Sequence, residues 1–482
     1  MDLRLSSDRK KLAGRNLQEE TWILSKMEKS MKILMMITVG VWMLAVGAVE
    51  VKVDFDREVG RIKPLHGIGQ GPLRGFDNFT MFKYLKEAGI PYSRLHDVGG
   101  AFGMNLFVDI PNLFRDFDAD ETDPKNYDFT FTDLYLKNLI ENGVEPYFRL
   151  GVTIENAAPR VKKAYRILPP KDPAKWARIC EHVIRHYTEG WADGYRWKIE
   201  HWEIWNEPDD YDGMRNHMWW GTWKEFIELY VTTAKHLKKH FPHLKIGGYG
   251  SCLGNCEDPE TLLDPEASIA DKKRRIGLFR EFLKACREHG APMDFHSFHA
   301  YRPASILTNS LRQISVCMRE AGFERSEIHL TEWNVGTTDG VAGTPSQAAE
   351  IAGLLLVMQH LPIQVAHLYD GRCALGNYAP LFDPLTRHPR QAYYALKDFN
   401  VLYRLGTEVA CSSDGVKALA AKGAKGAAVM VVNDSAASVP VVFDFGGREI
   451  GYCLMTDCVR LDTFTTLPDE MPPHSFLLVV LR

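Results

Sequence analysis

The sequence has few of the features that mark specialised protein classes. Its 9 cysteines are sparse and odd in number, which excludes a disulfide framework. Its formal net charge of -4 gives no reason to expect a nucleic-acid partner. It has no low-complexity tract. At 482 residues, with 45% apolar and 25% charged content, the chain has the composition of an ordinary globular protein and room for one large domain and an accessory one.

The cysteines leave two interpretations open. Cys252 and Cys256, and likewise Cys453 and Cys458, are close enough in sequence to form local bridges in an oxidising compartment. Buried free thiols are the simpler expectation for so sparse a set. No cysteine has zinc-site spacing with histidine.

The N-terminal segment resembles a targeting sequence. Lys26, Lys29 and Lys32 precede an uncharged apolar run, 33–48, that ends in small residues. The pattern predicts a leader or signal peptide over residues 1–48 and export to the periplasm or the medium. The run is shorter than the ~20 residues of a membrane span, so we expect no integral span after cleavage. A retained anchor and a buried core helix are the alternatives.

From residue 64 onward, short apolar or alternating segments take turns with longer amphipathic ones, and this happens eight times. The repeat is typical of parallel βα units and predicts an α/β fold, a closed (β/α)8 TIM barrel over residues 60–400. The predicted strands are Leu65–Gly69, Tyr92–His96, Glu145–Leu150, Ile199–Trp205, Lys245–Gly248, Phe295–His299, His329–Trp333 and Val365–Tyr369. The predicted helices include Phe79–Glu87, Asp172–Thr188, Trp223–His240, Ile276–His289 and Ser346–His360.

After Phe399 the pattern changes to short β-type runs separated by Gly, Asn, Asp and Pro. These runs predict a small C-terminal antiparallel β-sandwich over residues 405–482 that packs against the barrel. The predicted strands are Val409–Ala421, Gly426–Val432, Val439–Phe445, Tyr452–Thr456 and Ser475–Leu481.

Two glutamates close predicted barrel strands. Glu207 follows the fourth strand and Glu332 ends the seventh. The carboxyl ends of barrel strands face one mouth, where active sites lie. Retaining glycoside hydrolysis needs two carboxyl groups about 5–5.5 Å apart, and their repulsion raises the pKa of one of them. Two solvated loop glutamates are the alternative interpretation.

These strand-end glutamates, in the settings Trp205-Asn206-Glu207-Pro208 and Thr331-Glu332-Trp333-Asn334, resemble the catalytic pair of clan A retaining glycosidases. The local sequence is most similar to glycoside hydrolase family 39, the β-xylosidase and α-L-iduronidase family, over residues 60–400. The resemblance implies that Glu207 is the acid/base and Glu332 the nucleophile. It also implies that the early strand 50–56 joins the C-terminal sheet.

Further residues are candidates for substrate binding. Asn206 can donate its amide to a sugar 2-hydroxyl, although a local turn would also explain it. Alternation along the second strand places Arg94 and His96 on one face. If that face is inward, Arg94 holds Glu332 ionised and His96 reaches the sugar. A core ion pair lower in the barrel is the competing interpretation of Arg94.

The sixth strand aligns His299 and Tyr301 in the same way. A phenol beside the nucleophile is typical of related barrels, while a merely packed tyrosine is the alternative. His296 and His299 could be mistaken for metal ligands, but a spacing of three places them on opposite faces of a strand. The glycines of His66-Gly-Ile-Gly-Gln70 lack the rest of a nucleotide-binding pattern. We therefore expect neither a metal nor a cofactor.

The sequence thus predicts an exported retaining exo-glycosidase that acts on an oligosaccharide or polysaccharide from plant-type or other glycans. A β-D-xyloside is the leading substrate, ahead of a β-galactoside or β-glucoside. A uronide, as for α-L-iduronidase, would need a forked arginine, and Arg302 and Arg372 are the candidates. An endo-acting polysaccharidase and a non-catalytic glycan-binding barrel are also compatible with the sequence. Oligomeric state is left open.

Overall fold

The computed structural model describes residues 47–73, 79–98, 108–153, 165–210, 216–255, 265–301, 303–338, 340–457 and 461–482. The predicted leader, residues 1–48, lies outside the described residues except for its last two positions. Arg302 also lies outside them. Among the helices in the described part of the chain, none is both long and apolar enough to cross a membrane.

Eight parallel strands close into a barrel in chain order. The first strand of the chain, β1 (Val49–Arg61), is not one of them. The barrel strands are β2 (Gly67–Gly69), β3 (Tyr92–Arg94), β4 (Glu145–Leu150), β5 (His201–Ile204), β6 (Lys245–Ser251), β7 (Phe295–Ala300), β8 (Glu327–Trp333) and β9 (Val365–Leu368). All eight predicted strands are confirmed, with small changes at their ends.

Helices lie between the barrel strands and cover their outer faces, as expected for a parallel sheet that is buried on both sides. The α-helices are Lys83–Ala88, Ile110–Leu113, Thr130–Glu141, Pro173–Thr188, Trp223–His240, Pro265–Glu288, Ala304–Glu320, Pro345–Gln359 and Gln391–Leu405. Short 3-10 helices are Pro124–Asn126, Trp191–Asp193 and Cys252–Asn255.

Local sequence signals explain where several helices begin and end. The Asp172 carboxylate accepts hydrogen bonds from the backbone nitrogens of Ala174 (2.8 Å) and Lys175 (3.1 Å), the N-cap that its sequence predicts. The helix Pro265–Glu288 stops just before Gly290, whose φ of 61° suits glycine. This helix begins eleven residues earlier than the predicted start at Ile276. The prediction began too late because the first turns of the helix lack a clear apolar stripe.

The C-terminal unit is a single curled, mainly antiparallel sheet of nine strands, ordered β15-β14-β17-β12-β11-β10-β1-β13-β16. Strand β1 pairs antiparallel with β10 and parallel with β13. The remaining strands are β10 (Thr407–Ser413), β11 (Lys417–Gly423), β12 (Gly426–Asn433), β13 (Val439–Asp444), β14 (Ile450–Thr456), β15 (Leu461–Phe464), β16 (Glu470–Met471) and β17 (Ser475–Leu481).

One predicted strand is corrected by the structure. The run Val409–Ala421 is two antiparallel strands, β10 and β11, that pair with each other. Gly415, at φ 118°, lies in the turn between them, a backbone conformation that other residues rarely adopt. The prediction was wrong because the Asp-Gly turn signal at 414–415 was read as part of a continuous strand.

The sheet is packed against the barrel through alternate side chains of its central strands. Along β12, Ala428, Met430 and Val432 belong to the core that includes the barrel. The intervening Val429 and Val431 belong to a second core inside the curled sheet. This period of two follows from strand geometry. One face of the accessory sheet therefore shares a hydrophobic core with the barrel.

Candidate active site

Glu207 lies just beyond the carboxyl end of β5, on a backbone that neighbouring strands hold in place. Trp205 (φ 71°) and Glu207 (φ 46°) both adopt left-handed conformations, which cost about 1–3 kcal/mol each. The Trp205 nitrogen donates to the Leu150 carbonyl (2.7 Å), and the Glu207 nitrogen donates to the Gly250 carbonyl (3.2 Å). The bonds to β4 and β6 hold the backbone from which the Glu207 side chain extends.

Glu332 lies near the end of β8 and is 4% exposed. The Arg94 Nη1 donates to its Oε1 at 2.6 Å, and the Tyr301 hydroxyl donates to its Oε2 at 2.5 Å. Burial raises the pKa of Glu332 overall, although the positive charge of Arg94 and the hydrogen bond from Tyr301 oppose the rise. Both oxygens therefore have a hydrogen-bond donor that favours the ionised form.

The two carboxylates face each other across the barrel mouth. An oxygen of Glu207 lies within 4.8 Å of an oxygen of Glu332. His299 Nδ1 lies between them, 2.6 Å from Glu207 Oε1 and 3.5 Å from Glu332 Oε2. This separation matches the roughly 5–5.5 Å of retaining enzymes and is well short of the roughly 6.5–9.5 Å that leaves room for an attacking water in inverting ones.

Arg94 is completely buried and uses its whole guanidinium fork. Besides the bond to Glu332, its Nε donates to Glu203 Oε2 and its Nη2 donates to Asn206 Oδ1, both at 2.6 Å. Burial opposes the charge, but the carboxylates of Glu203 and Glu332 outweigh it and raise the pKa of Arg94. The planar fork therefore fixes three acceptors relative to one another.

Burial shifts the pKa values of Glu207 and His299, which are in contact through His299 Nδ1, in opposite directions. Burial raises the pKa of Glu207 to about 7, with help from the negative charge of Asp210. Burial lowers the pKa of His299 to about 4. Near neutral pH, Glu207 can therefore hold a proton while His299 is uncharged, as an acid/base residue requires.

A second group of polar residues lies on the β3 side of Glu332. His96 Nε2 is 3.9 Å from Glu332 Oε1 and 3.4 Å from Asp97 Oδ1. The Tyr369 hydroxyl donates to Asp97 Oδ2. His96 Nδ1 and Asp97 Oδ1 are buried and make no hydrogen bond with the described residues. Buried polar atoms need partners, so these two atoms are available to a ligand that enters the barrel mouth.

Three groups of residues among those described are close enough to ligate a metal ion. One is Glu207, His299 and Glu332 itself. The other two lie away from Glu207 and Glu332: Glu181, His236 and His240, and His201, Glu327 and His329. Each group already has a cation against one of its carboxylates, namely Arg94, Arg185 and Lys245. Like charge opposes a metal ion at such positions.

The family model described as Glycosyl hydrolases family 39 matches residues 78–366 of the chain, more than half of its length. The chain belongs to glycosyl hydrolase family 39. The resemblance stated from the sequence is thereby confirmed.

Two curated relatives of this family 39 protein are β-xylosidases. The protein of Geobacillus stearothermophilus is 24% identical over 280 residues, which are 52% of this chain and 50% of the relative. The protein of Caldicellulosiruptor saccharolyticus is 25% identical over 301 residues, which are 58% of this chain and 53% of the relative. The matched region spans about half the length of these relatives.

Solved structures support the fold. A glucosidase from Croceicoccus marinus superposes with a TM-score of 0.68 at 17% identity, covering 90% of this chain and 99% of that one. A family 39 β-xylosidase from Caulobacter crescentus gives 0.62 at 18% identity, with the same coverage. At these identities the likeness concerns the architecture, a barrel with an accessory sheet.

The structure brings all seven sequence-predicted site residues of this family 39 protein to one mouth of the barrel. They are Glu207, Glu332, Asn206, His96, His299, Tyr301 and Arg94. For Arg94 both interpretations apply, since it bonds Glu332 at the site and also forms a core ion pair with Glu203. His296 bonds the Gly248 carbonyl on the opposite side of β7 from His299, as its spacing predicts.

Three residues of the site were missed at the sequence level: Glu203, Asp97 and Tyr369. Glu203 had a detectable signal, because alternation along β5 places it inward, and a buried inward carboxylate needs a cation. Asp97 follows β3 and adopts φ 54°, which no periodicity reveals. Tyr369 ends the last predicted barrel strand, and no local pattern shows that its hydroxyl bonds Asp97.

Proposed function

We propose that this chain is a retaining exo-glycosidase that removes a terminal neutral sugar, with a β-D-xyloside as the leading substrate. One observation carries the proposal: the oxygens of Glu207 and Glu332 come within 4.8 Å of each other at the carboxyl end of the barrel. The β-xylosidase names of the two curated relatives support the choice of sugar.

In the proposed reaction a carboxylate oxygen of Glu332 attacks the anomeric carbon. The bond to the leaving oxygen breaks as Glu207 transfers its proton to that oxygen. A water then attacks the same carbon while Glu207 removes its proton, which releases the sugar and restores Glu332. The Arg94 and Tyr301 bonds hold Glu332 in line, and Asn206, itself held by Arg94, lies where it can contact the 2-hydroxyl. No cofactor is needed for either step.

The charges near the pocket favour a neutral sugar. Arg372, one of the two arginines considered for a uronate, donates from Nε (2.8 Å) and Nη2 (2.6 Å) to Asp370 Oδ2. Arg302 lies outside the described residues. The Asp97 carboxylate beside His96 adds negative charge close to Glu332, which would repel a uronate.

A panel of nitrophenyl glycosides tests the proposal. The protein should release nitrophenol from the β-D-xyloside, and the β-galactoside, β-glucoside and α-L-iduronide show how strongly it prefers that sugar. If the protein hydrolysed none of these glycosides, the result would favour the non-catalytic glycan-binding barrel. Release of long oligosaccharides from xylan, in place of single sugars, would favour the endo-acting polysaccharidase.

Export is the remaining part of the proposal. It is supported by the lysines and the apolar run 33–48 of the sequence, with small residues at its end. Mass spectrometry of the protein secreted by its own host should find a new N-terminus near residue 48. A full-length N-terminus on the intracellular protein would contradict this part alone.

A further inference from the structure

Three tyrosine rings meet at the barrel mouth and form the tyrosine triad (Tyr301, Tyr369 and Tyr378). Their centroids are 5.4 to 6.1 Å apart, and every pair is close to edge-on, with interplanar angles of 75 to 89°. Such edge-to-face contacts stabilise one relative arrangement of the rings. The triad is therefore a fixed aromatic surface.

The three rings differ in depth. The hydroxyl of Tyr301 donates to Glu332, and that of Tyr369 donates to Asp97, so these two rings lie at the reacting end. Tyr378 contacts both rings but is 42% exposed. Its ring therefore lies further out than the other two, on the solvent side of the triad.

The backbone of Tyr378 is anchored from below. Its carbonyl accepts hydrogen bonds from the Asp370 nitrogen at 2.6 Å and from the Asn334 amide at 3.2 Å. Asn334 follows β8, the strand of Glu332, and is itself completely buried. Because the backbone of this exposed aromatic residue is already held, little conformational entropy is lost when a ligand covers its ring.

We propose that Tyr378 is the platform of a leaving-group subsite, where its ring packs on the apolar face of the second sugar or of an aryl aglycone. This rests on the proposed function. In a pocket whose inner end holds the sugar that Glu332 attacks, the leaving group must extend towards the mouth, and the exposed ring is the part of the triad that it meets. Leu375, three residues earlier in the same loop, is a second exposed apolar side chain, 85% exposed.

The test compares substrates with and without a leaving group that can pack on the ring. A glycosyl fluoride has no aglycone ring, whereas the matching disaccharide and nitrophenyl glycoside have one. In Tyr378→Ala, kcat/KM for either ring-bearing substrate, divided by that for the fluoride, should fall about tenfold, which is ~1.4 kcal/mol. KM should account for most of the change. Tyr378→Phe, which keeps the ring, should restore the ratio.

Tyr452→Ala is the matched control, because Tyr452 is 41% exposed but lies on β14 of the accessory sheet. It should leave the ratio unchanged. Equal losses on the fluoride and on the ring-bearing substrates in Tyr378→Ala would overturn the subsite and place the residue against the attacked sugar, or in a structural role. A wild-type protein that hydrolyses none of the three would instead refute the proposed function.

Discussion

His299 Nδ1 lies 2.6 Å from Glu207 Oε1, and burial moves the pKa values of the two groups in opposite directions. Because His299 remains neutral well below neutral pH, it can offer an N–H to Oε1 while Glu207 carries its own proton on the other oxygen. In the proposed mechanism, the His299 contact orients the carboxyl group that acts as the acid, and burial raises its pKa so that it is protonated.

The first prediction concerns pH. Glu207 must be protonated to act as acid, so kcat/KM should fall as pH rises through about 7, the raised pKa of Glu207. Glu332 must be ionised to attack, so activity should also fall at acid pH, through the raised pKa of Glu332. In Glu207→Ala, measured on an activated substrate, the basic limb should disappear while the acid limb remains. Persistence of the basic limb would assign it to another group.

The second prediction concerns stereochemistry. The close approach of the two carboxylates leaves no room for a water between nucleophile and sugar. Proton NMR of the earliest product should therefore show the anomer of the starting glycoside, before mutarotation. Early accumulation of the opposite anomer would show that water attacks directly and that Glu332 is not a nucleophile.

The third prediction separates the two glutamates. Glu332→Gly should abolish hydrolysis of every substrate, because no nucleophile is left. Glu207→Ala should cost about 10²–10⁴-fold on substrates with poor leaving groups and far less on activated ones. Azide should then produce a glycosyl azide of retained configuration in the Glu207 variant.

Glu324→Ala serves as the control for this pair, since Glu324 is exposed and lies outside the site. It should behave as the wild type on all substrates. If Glu207→Ala and Glu332→Gly lost activated and unactivated substrates equally, and azide formed no product, the two roles would be wrongly assigned.

The fourth prediction concerns Arg94. Arg94→Met removes the donor to three buried acceptors and leaves Glu203 and Glu332 without their counter-ion. Loss of one partner of a buried pair costs about 3–5 kcal/mol, so both activity and melting temperature should fall sharply. Arg94→Lys should restore little, since an ammonium cannot reproduce the fork.

Arg115→Met is the matched control, because its 2.6 Å bond to Asp128 is equally short but its side chain is 72% exposed. Such surface pairs contribute about 0–1 kcal/mol. An equal loss of stability in the two methionine variants would show that the buried fork has no special part in holding the site.

Much of this architecture could be predicted because strands and helices alternate in the sequence with clear periods. The helix Trp223–His240 was predicted to the residue, since it has a capping box at Thr222 and Glu225 and a continuous apolar stripe. Glu207 and Glu332 could be found because strand ends determine their place in a barrel.

The rest depends on distances between segments that no local pattern encodes. The sequence places Glu203 inward but does not say that Arg94 reaches it from β3. Tyr378 lies in the loop after β9, without periodicity, so its position beside Tyr301 follows only from the folded loop. The turn at Gly415 shows the opposite case, a local signal that was present but was overlooked.

The fifth prediction concerns substrate charge. A β-D-xyloside should be preferred over the matching α-L-iduronide at equal concentration, because Arg372 is held by Asp370 and Asp97 adds a negative charge near the nucleophile. Arg372→Ala should therefore leave the xyloside-to-iduronide ratio of kcat/KM unchanged, whereas Asp97→Asn, which removes the charge but keeps the shape, should lower it. The ratio itself cancels any general loss of folded protein. A wild-type preference for the iduronide that vanished in Arg302→Ala or Arg372→Ala would overturn the neutral-sugar assignment, since one of these arginines would then be compensating the uronate.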